Sequence, residues 1–164
     1  MLKNKKALGI DFGLKRIGLS LSDDTMTIAF PFKYIQNNSL KESVSILKEI
    51  INLENVGLIV IGMPIGLKGR QSEISIKINE FVAELEDKII KPAKESGVGE
   101  IDVAIYDERF SSVQAQKSLI EQNIKRKKRK EKIDSVASAF VLQSYLDRLK
   151  KAADGGTGGD PPES

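Results

Sequence analysis

The stretch Leu8 to Ser22, LGIDFGLKRIGLSLS, limits what the chain can fold into more than any other. Read with the two-residue period of a strand, Leu8, Ile10 and Phe12 fall on one face, and Gly9 and Asp11 on the other. After a tight turn, Ile17, Leu19 and Leu21 repeat the pattern, opposed by Gly18, Ser20 and Ser22. One face of this hairpin is bulky and the other nearly bare. A bare face lets another element come close to the backbone, either a packed helix or a charged ligand. Asp11 interrupts that face, and a buried carboxylate needs a cation, a hydrogen-bond donor or a metal beside it. Two readings follow: Asp11 starts the turn by accepting backbone N–H bonds ahead of Gly13, or it belongs to a site.

The rest of the chain reads as one helix-covered sheet. Thr27 to Ile35 is a third extended segment, and Pro31, which cannot donate to a ladder, makes it an edge strand. Ser39 and Glu42 form a capping box for a helix whose inner face carries Leu40, Val44, Leu47 and Ile51. Leu58 to Ile61 is a short apolar run covered on both faces, and a helical crossover makes it parallel to the first strand. The glycine-rich loop Gly62 to Arg70 leads to a second helix with Ile74, Ile78, Phe81, Val82, Leu85 and Ile89 inward. Pro92 to Glu100 reads as a connection, and Ile101 to Tyr106 as the last strand, with Asp107, Glu108 and Arg109 beyond its end. Ser111 or Ser112 caps a short helix carrying Ala115 and Leu119. The uninterrupted basic run Lys125 to Lys130 is expected in a loop, followed by a closing helix over Ile133 to Lys150. The expected fold class is therefore α/β: a mixed five-stranded sheet, three antiparallel strands then two parallel ones, flanked by helices. Residues 1–150 form one domain, and 151–164, rich in Gly and Pro, form a disordered tail.

Composition sharpens the chemistry. The 164 residues include no Cys and no His, which excludes thiolate nucleophiles, imidazole bases and the usual zinc ligands. Hydrolytic chemistry would then run on carboxylates, with a hard ion such as Mg²⁺ or Mn²⁺. No apolar run approaches a membrane span, and the Lys-rich start leads into a strand rather than a cleavable signal, so a cytoplasmic protein is expected.

Ligands in open α/β sheets gather beyond the carboxyl ends of the parallel strands. Asp11 ends the first strand and Glu108 the fifth, on one rim with a single strand between them. A third acid, Asp134, opens the closing helix, where capping and the helix dipole also favour an acid. Glu108, between Asp107 and Arg109, also suits a surface ion pair.

GIDFGLKRIGLSLSD, GMPIGLKGR, YDERFSSVQA and KRKKRKEKIDSVASAFVLQSYL, in this order, closely resemble the YqgF family, RNase H-like proteins described as Holliday-junction resolvases and as pre-16S rRNA nucleases. The likeness spans Ala7 to Leu149. It implies an RNase H-like fold and a catalytic, metal-binding set of Asp11, Glu108 and Asp134. The implied cofactor is a pair of Mg²⁺ or Mn²⁺ ions, bound weakly until substrate phosphate completes the coordination. The expected partner is nucleic acid, a structured RNA precursor first and branched DNA second, with the protein a monomer or weak homodimer. Lys125, Arg126, Lys127, Lys128, Arg129 and Lys130 would contact phosphates, with Lys15, Arg16 and Arg109 near the acids and Lys68 and Arg70 beside a backbone pocket. A solvated charged loop and an ordinary strand-to-helix turn are the plainer readings of the basic run and of GMPIGLKGR. The expected function is metal-dependent phosphodiester hydrolysis in 5′-end maturation of pre-16S rRNA. Resolution of four-way DNA junctions is the first alternative, and a non-catalytic nucleic-acid-binding module the second. The DxGxxxxG pattern also occurs in actin-like nucleotide-binding proteins, which close two such domains around a nucleotide.

Overall fold

The hairpin forms as the alternation predicts, with β1 (Lys6–Phe12) antiparallel to β2 (Arg16–Ser22) in the register Leu8↔Leu21, Ile10↔Leu19, Phe12↔Ile17. The computed structural model describes residues 5–64, 73–108 and 126–155, the stretch 126–132 as backbone. Beyond the hairpin come β3 (Ala29–Gln36), α1 (Leu40–Leu53), β4 (Val56–Met63), α2 (Glu73–Leu85), a π turn (Glu86–Ile90), α3 (Lys91–Glu95), β5 (Asp102–Asp107) and α4 (Arg126–Ala153). The sheet order is β3-β2-β1-β4-β5, with β1, β4 and β5 parallel. β3 lies at the edge, as Pro31 requires, and its register with β2 shifts beside that proline.

The sheet divides its side chains between two cores. Leu8, Ile10, Ile17, Leu19, Ile59 and Ile61 pack with α1 and α2 through Leu47, Ile51, Ile78, Phe81 and Leu85, all buried. On the other face Ala7, Leu58, Val60, Ala104 and Tyr106 meet Ala137, Val141, Leu142, Tyr145 and Leu146 of α4. The continuous apolar run of β4 is thus explained, because alternate residues enter opposite cores. Ser39 caps α1 through a bond from the Glu42 N–H to its Oγ, 3.2 Å.

The bare hairpin face receives the closing helix. A Cβ added to Gly9 would lie 2.8 Å from Leu142 Cβ, and one added to Gly18 would lie 2.0 Å from the main-chain oxygen of Asp134. Ser20 and Ser138 join the two elements by a buried hydroxyl pair at 2.9 Å. Gln143 of α4 then clamps the start of β3, accepting from the Ala29 N–H at 2.8 Å and donating to the Thr27 carbonyl at 3.0 Å.

Two expectations are corrected. The basic run is not a loop from its second residue on: α4 begins at Arg126 and runs to Ala153, seven residues earlier and three later than the pattern predicts. Nothing between Arg126 and Ser135 breaks a helix, and Lys, Arg and Glu are strong helix formers. Pro92 does not stand in a connection but near the start of α3. The preceding turn is wide, the Lys91 N–H bonding Glu86 O five residues back, so the helical path reaches Pro92 without needing its missing N–H. The path ends at Gly97, whose φ of +74° suits a glycine. The expected short helix after Ser111 or Ser112 lies outside the described residues.

Candidate active site

The first acid is placed by the hairpin. Asp11 stands two residues beyond Gly9 on the α4 face of β1 and is buried, with 8% of its surface exposed. Its ladder partner on β2 is Gly18, over which the main chain of Asp134 packs. On its other side β1 and β4 pair in register through Ile10↔Ile61, so Asp11 and Gly62 come next on their two strands.

Gly62 seats the second acid. A Cβ at that position would lie 2.9 Å from Glu108 Oε1 and 3.4 Å from Val141 Cγ1, so Glu108 folds from the end of β5 back across β4, on the α4 face. Asp11 and Glu108 are thereby neighbours on one side of one sheet edge, since adjacent strands lie about 4.8 Å apart. A side chain at Gly62 would fill the space that Glu108 occupies. Both acids are engaged by other groups of the protein.

Asp134 arrives differently from the sequence expectation. It is the ninth residue of α4, in its third turn, so neither capping nor the dipole of a first helical turn accounts for it. Its backbone touches Gly18 beside Asp11, while its carboxylate accepts a hydrogen bond from Arg16 Nε at 3.0 Å. That ion pair is partly sheltered, with 36% of the Arg16 side chain and 22% of the Asp134 side chain exposed. Arg16 also lies over the Tyr34 ring, 5.8 Å from guanidinium carbon to centroid.

The rim therefore collects three acids and at least one cation. As the side chains stand, no three acids among the described residues form a group able to hold a metal ion. The donor chemistry nonetheless fits a hard divalent ion: carboxylates from three separate elements, no imidazole or thiolate, and a glycine floor under Glu108. Lys15 is an exposed residue of the β1–β2 turn, next to Arg16. Lys68, Arg70, Arg109 and Lys125 lie outside the described residues; Arg126, Lys127, Lys128, Arg129 and Lys130 form the first turns of α4 as backbone. Sequence reasoning missed two features. Gly62 was read only as the start of a loop, although a strand glycine level with an acid signals close approach. The Arg16–Asp134 pair spans 118 residues, and nothing local in a single sequence marks it.

A mixed sheet ordered β3-β2-β1-β4-β5, with a C-terminal helix laid over its hairpin and acids at the ends of β1 and β5, is the RNase H-like fold of the junction resolvases. T. thermophilus RuvC, solved in complex with a Holliday junction substrate, superposes with a TM-score of 0.55 at 15% identity, covering 93% of this chain and 97% of that one. The yeast mitochondrial Holliday junction resolvase Ydc2 gives a TM-score of 0.54 at 14% identity, covering 95% of this chain and 85% of the other. The chain belongs to the RuvX family, whose model, described as a Holliday junction resolvase, matches residues 5–148. Among its relatives are two proteins named "Putative pre-16S rRNA nuclease". That of Sulfurihydrogenibium sp. is 38% identical over 88% of this chain and 91% of its own length. That of Maridesulfovibrio salexigens is 37% identical over 87% of this chain and 98% of its own length. Family membership removes the actin-like nucleotide-binding reading.

Proposed function

We propose that this protein is a divalent-metal-dependent nuclease that hydrolyses a phosphodiester at the Asp11 rim, acting in 5′-end maturation of the 16S rRNA precursor. The observation that carries the reading is the juxtaposition of Asp11, Glu108 and the Asp134 segment at one sheet edge, in a chain without histidine or cysteine. The names of relatives more than a third identical over most of the chain supply the substrate.

In this reading Asp11, Glu108 and Asp134 hold two Mg²⁺ or Mn²⁺ ions. Bound there, such ions lower the pKa of an attacking water and offset charge on the leaving oxygen. The protein's own part is positional. Asp11 is fixed by the ladder from Leu8 to Phe12 and sheltered by α4, so its carboxylate needs no reordering when substrate arrives. Glu108 is braced over Gly62. Arg16 and Lys15, at the rim end of β2, and the basic start of α4 would take the phosphates on either side of the scissile one. A scaffold that meets nucleic acid through phosphates and carboxylates, without base-reading aromatics in its basic run, recognises shape more than sequence. Cytoplasmic action fits this role, and among the described residues no helix is long and apolar enough to cross a membrane.

Cleavage of four-way DNA junctions is the second reading, favoured by the family description and by the likeness to RuvC. The discriminating experiment incubates the protein with a precursor 16S rRNA fragment bearing its 5′ extension and with a four-way DNA junction, each with Mg²⁺ or Mn²⁺. Cutting of the RNA, with a 5′ phosphate on the downstream product, is the expected result. Cutting of the junction alone would transfer the assignment to the second reading, and an intact pair of substrates in both metals would overturn both.

A further inference from the structure

One contact does not fit a rim that simply waits for metal. The Asp134 carboxylate is turned to a guanidinium: Arg16 Nε donates to Oδ2 at 3.0 Å. A cation that close occupies an oxygen lone pair that a divalent ion would need and repels the ion itself. Three supports hold the pair together. Arg16 is the first residue of β2 and is anchored in the ladder opposite Gln36. Its guanidinium rests over Tyr34, and the Asp134 main chain lies against Gly18 two residues along the same strand. The guanidinium is only partly covered, and its bond to Asp134 uses Nε alone. Among the described residues the two Nη groups make no hydrogen bond, so four donors in a planar fork are presented at the rim, a geometry suited to a phosphate.

We propose that Arg16 is a positioning residue that keeps Asp134 from a divalent ion until nucleic acid binds, so that metal loading is coupled to substrate. A backbone phosphate of the substrate takes over the guanidinium, the carboxylate of Asp134 is released, and the third ligand joins Asp11 and Glu108. No bond is made or broken covalently in this step; one ion pair is exchanged for another. The inference rests on the proposed three-acid site and adds to it the order of assembly. Reciprocity follows, because if nucleic acid tightens metal binding, metal must tighten nucleic-acid binding by the same factor.

The test measures Mn²⁺ affinity of the full chain by electron paramagnetic resonance of the free ion, with and without a short nucleic-acid duplex that the protein binds but does not cut, the Mn²⁺ taken up by the duplex alone being subtracted. Arg16→Gln should bind Mn²⁺ about five- to tenfold more tightly than wild type when no nucleic acid is present, the size expected for a sheltered ion pair with a charge-assisted bond. The duplex should tighten Mn²⁺ binding by wild type and leave Arg16→Gln nearly unchanged. Arg16→Lys, which keeps a cation that can reach the carboxylate, should restore the coupling. Lys15→Gln removes the same charge one residue away and should shift Mn²⁺ affinity by less than about twofold if the ion pair, rather than net charge, is responsible. Equal effects of Arg16→Gln and Lys15→Gln, or unchanged Mn²⁺ affinity in Arg16→Gln, would overturn the proposal. Asp11→Asn separates the two levels. If it abolishes Mn²⁺ binding while Arg16→Gln changes nothing, the three-acid site stands and the coupling falls. If it leaves Mn²⁺ binding intact, the site itself falls.

Discussion

Asp11→Asn is expected to lower single-turnover cleavage of the substrate by more than about a hundredfold while leaving the melting temperature within about 2 °C of wild type. The two shapes are the same, so what is lost is one negative charge at the end of β1. Groups that merely orient a metal ligand are worth about ten- to a hundredfold in affinity or activity, and a direct ligand should exceed them. Stability should survive for a separate reason. Asp11 is buried under α4, and Asn fills the same space and keeps an acceptor oxygen for the groups that engage Asp11. An Asp that only capped the hairpin turn would also be replaced by Asn at little cost, because Asn caps such turns too, so a purely structural Asp11 would keep the cleavage rate. The rate, measured on a preparation whose melting temperature shows it folded, therefore separates the two readings of Asp11. A variant that cuts at the wild-type rate would return Asp11 to a structural role.

Gly18→Ala is expected to be the most damaging single-methyl change in the hairpin. The new carbon would stand 2.0 Å from the Asp134 oxygen, 2.3 Å from its carbonyl carbon and 2.9 Å from its Cα. All three are backbone atoms of α4, so no rotamer relieves the clash and the helix itself must move. Overpacking of this kind costs about 3 kcal/mol, and roughly 2–4 °C per kcal/mol then gives a fall of about 6–12 °C in melting temperature. The same displacement carries Asp134 off Asp11, so cleavage should fall further than the stability loss explains at a temperature where the variant is still folded. Calorimetry and cleavage at 20 °C on one sample check both parts; a melting temperature within about 2 °C of wild type would show that α4 does not lie on Gly18.

How much of this was legible beforehand depended on how local each cause is. The hairpin register, the parallel β4 and the edge position of β3 follow from period-two alternation, a proline and the need for a crossover, all written in neighbouring residues. The Ser39 cap followed from a four-residue pattern. The start of α4 did not, because the sequence gives a run of like charges two plausible states, and the helix wins where strong helix formers meet no breaker. Pro92 was misread since a π turn reverses its usual meaning. For the candidate site, the placement of Asp11 and Glu108 on one rim was foreseeable from strand ends, and the approach of a helix to the bare face was one of two readings open for Gly9 and Gly18. The contact between Arg16 and Asp134 was not foreseeable, because it is made by the docking of the last helix onto the first hairpin.

The central claim is that Asp11, Glu108 and Asp134 share bound divalent ions. Its most direct test is a Mn²⁺ titration of the isotope-labelled protein in the presence of the uncut duplex, followed by paramagnetic broadening of backbone amides. The account predicts that the amides of Asp11, Gly62, Glu108 and Asp134 broaden first and together, at metal concentrations well below those that affect half-buried Asp23 and exposed Asp24. Broadening that begins at Asp23 and Asp24, or that reaches Asp11 without Glu108 and Asp134, would contradict it.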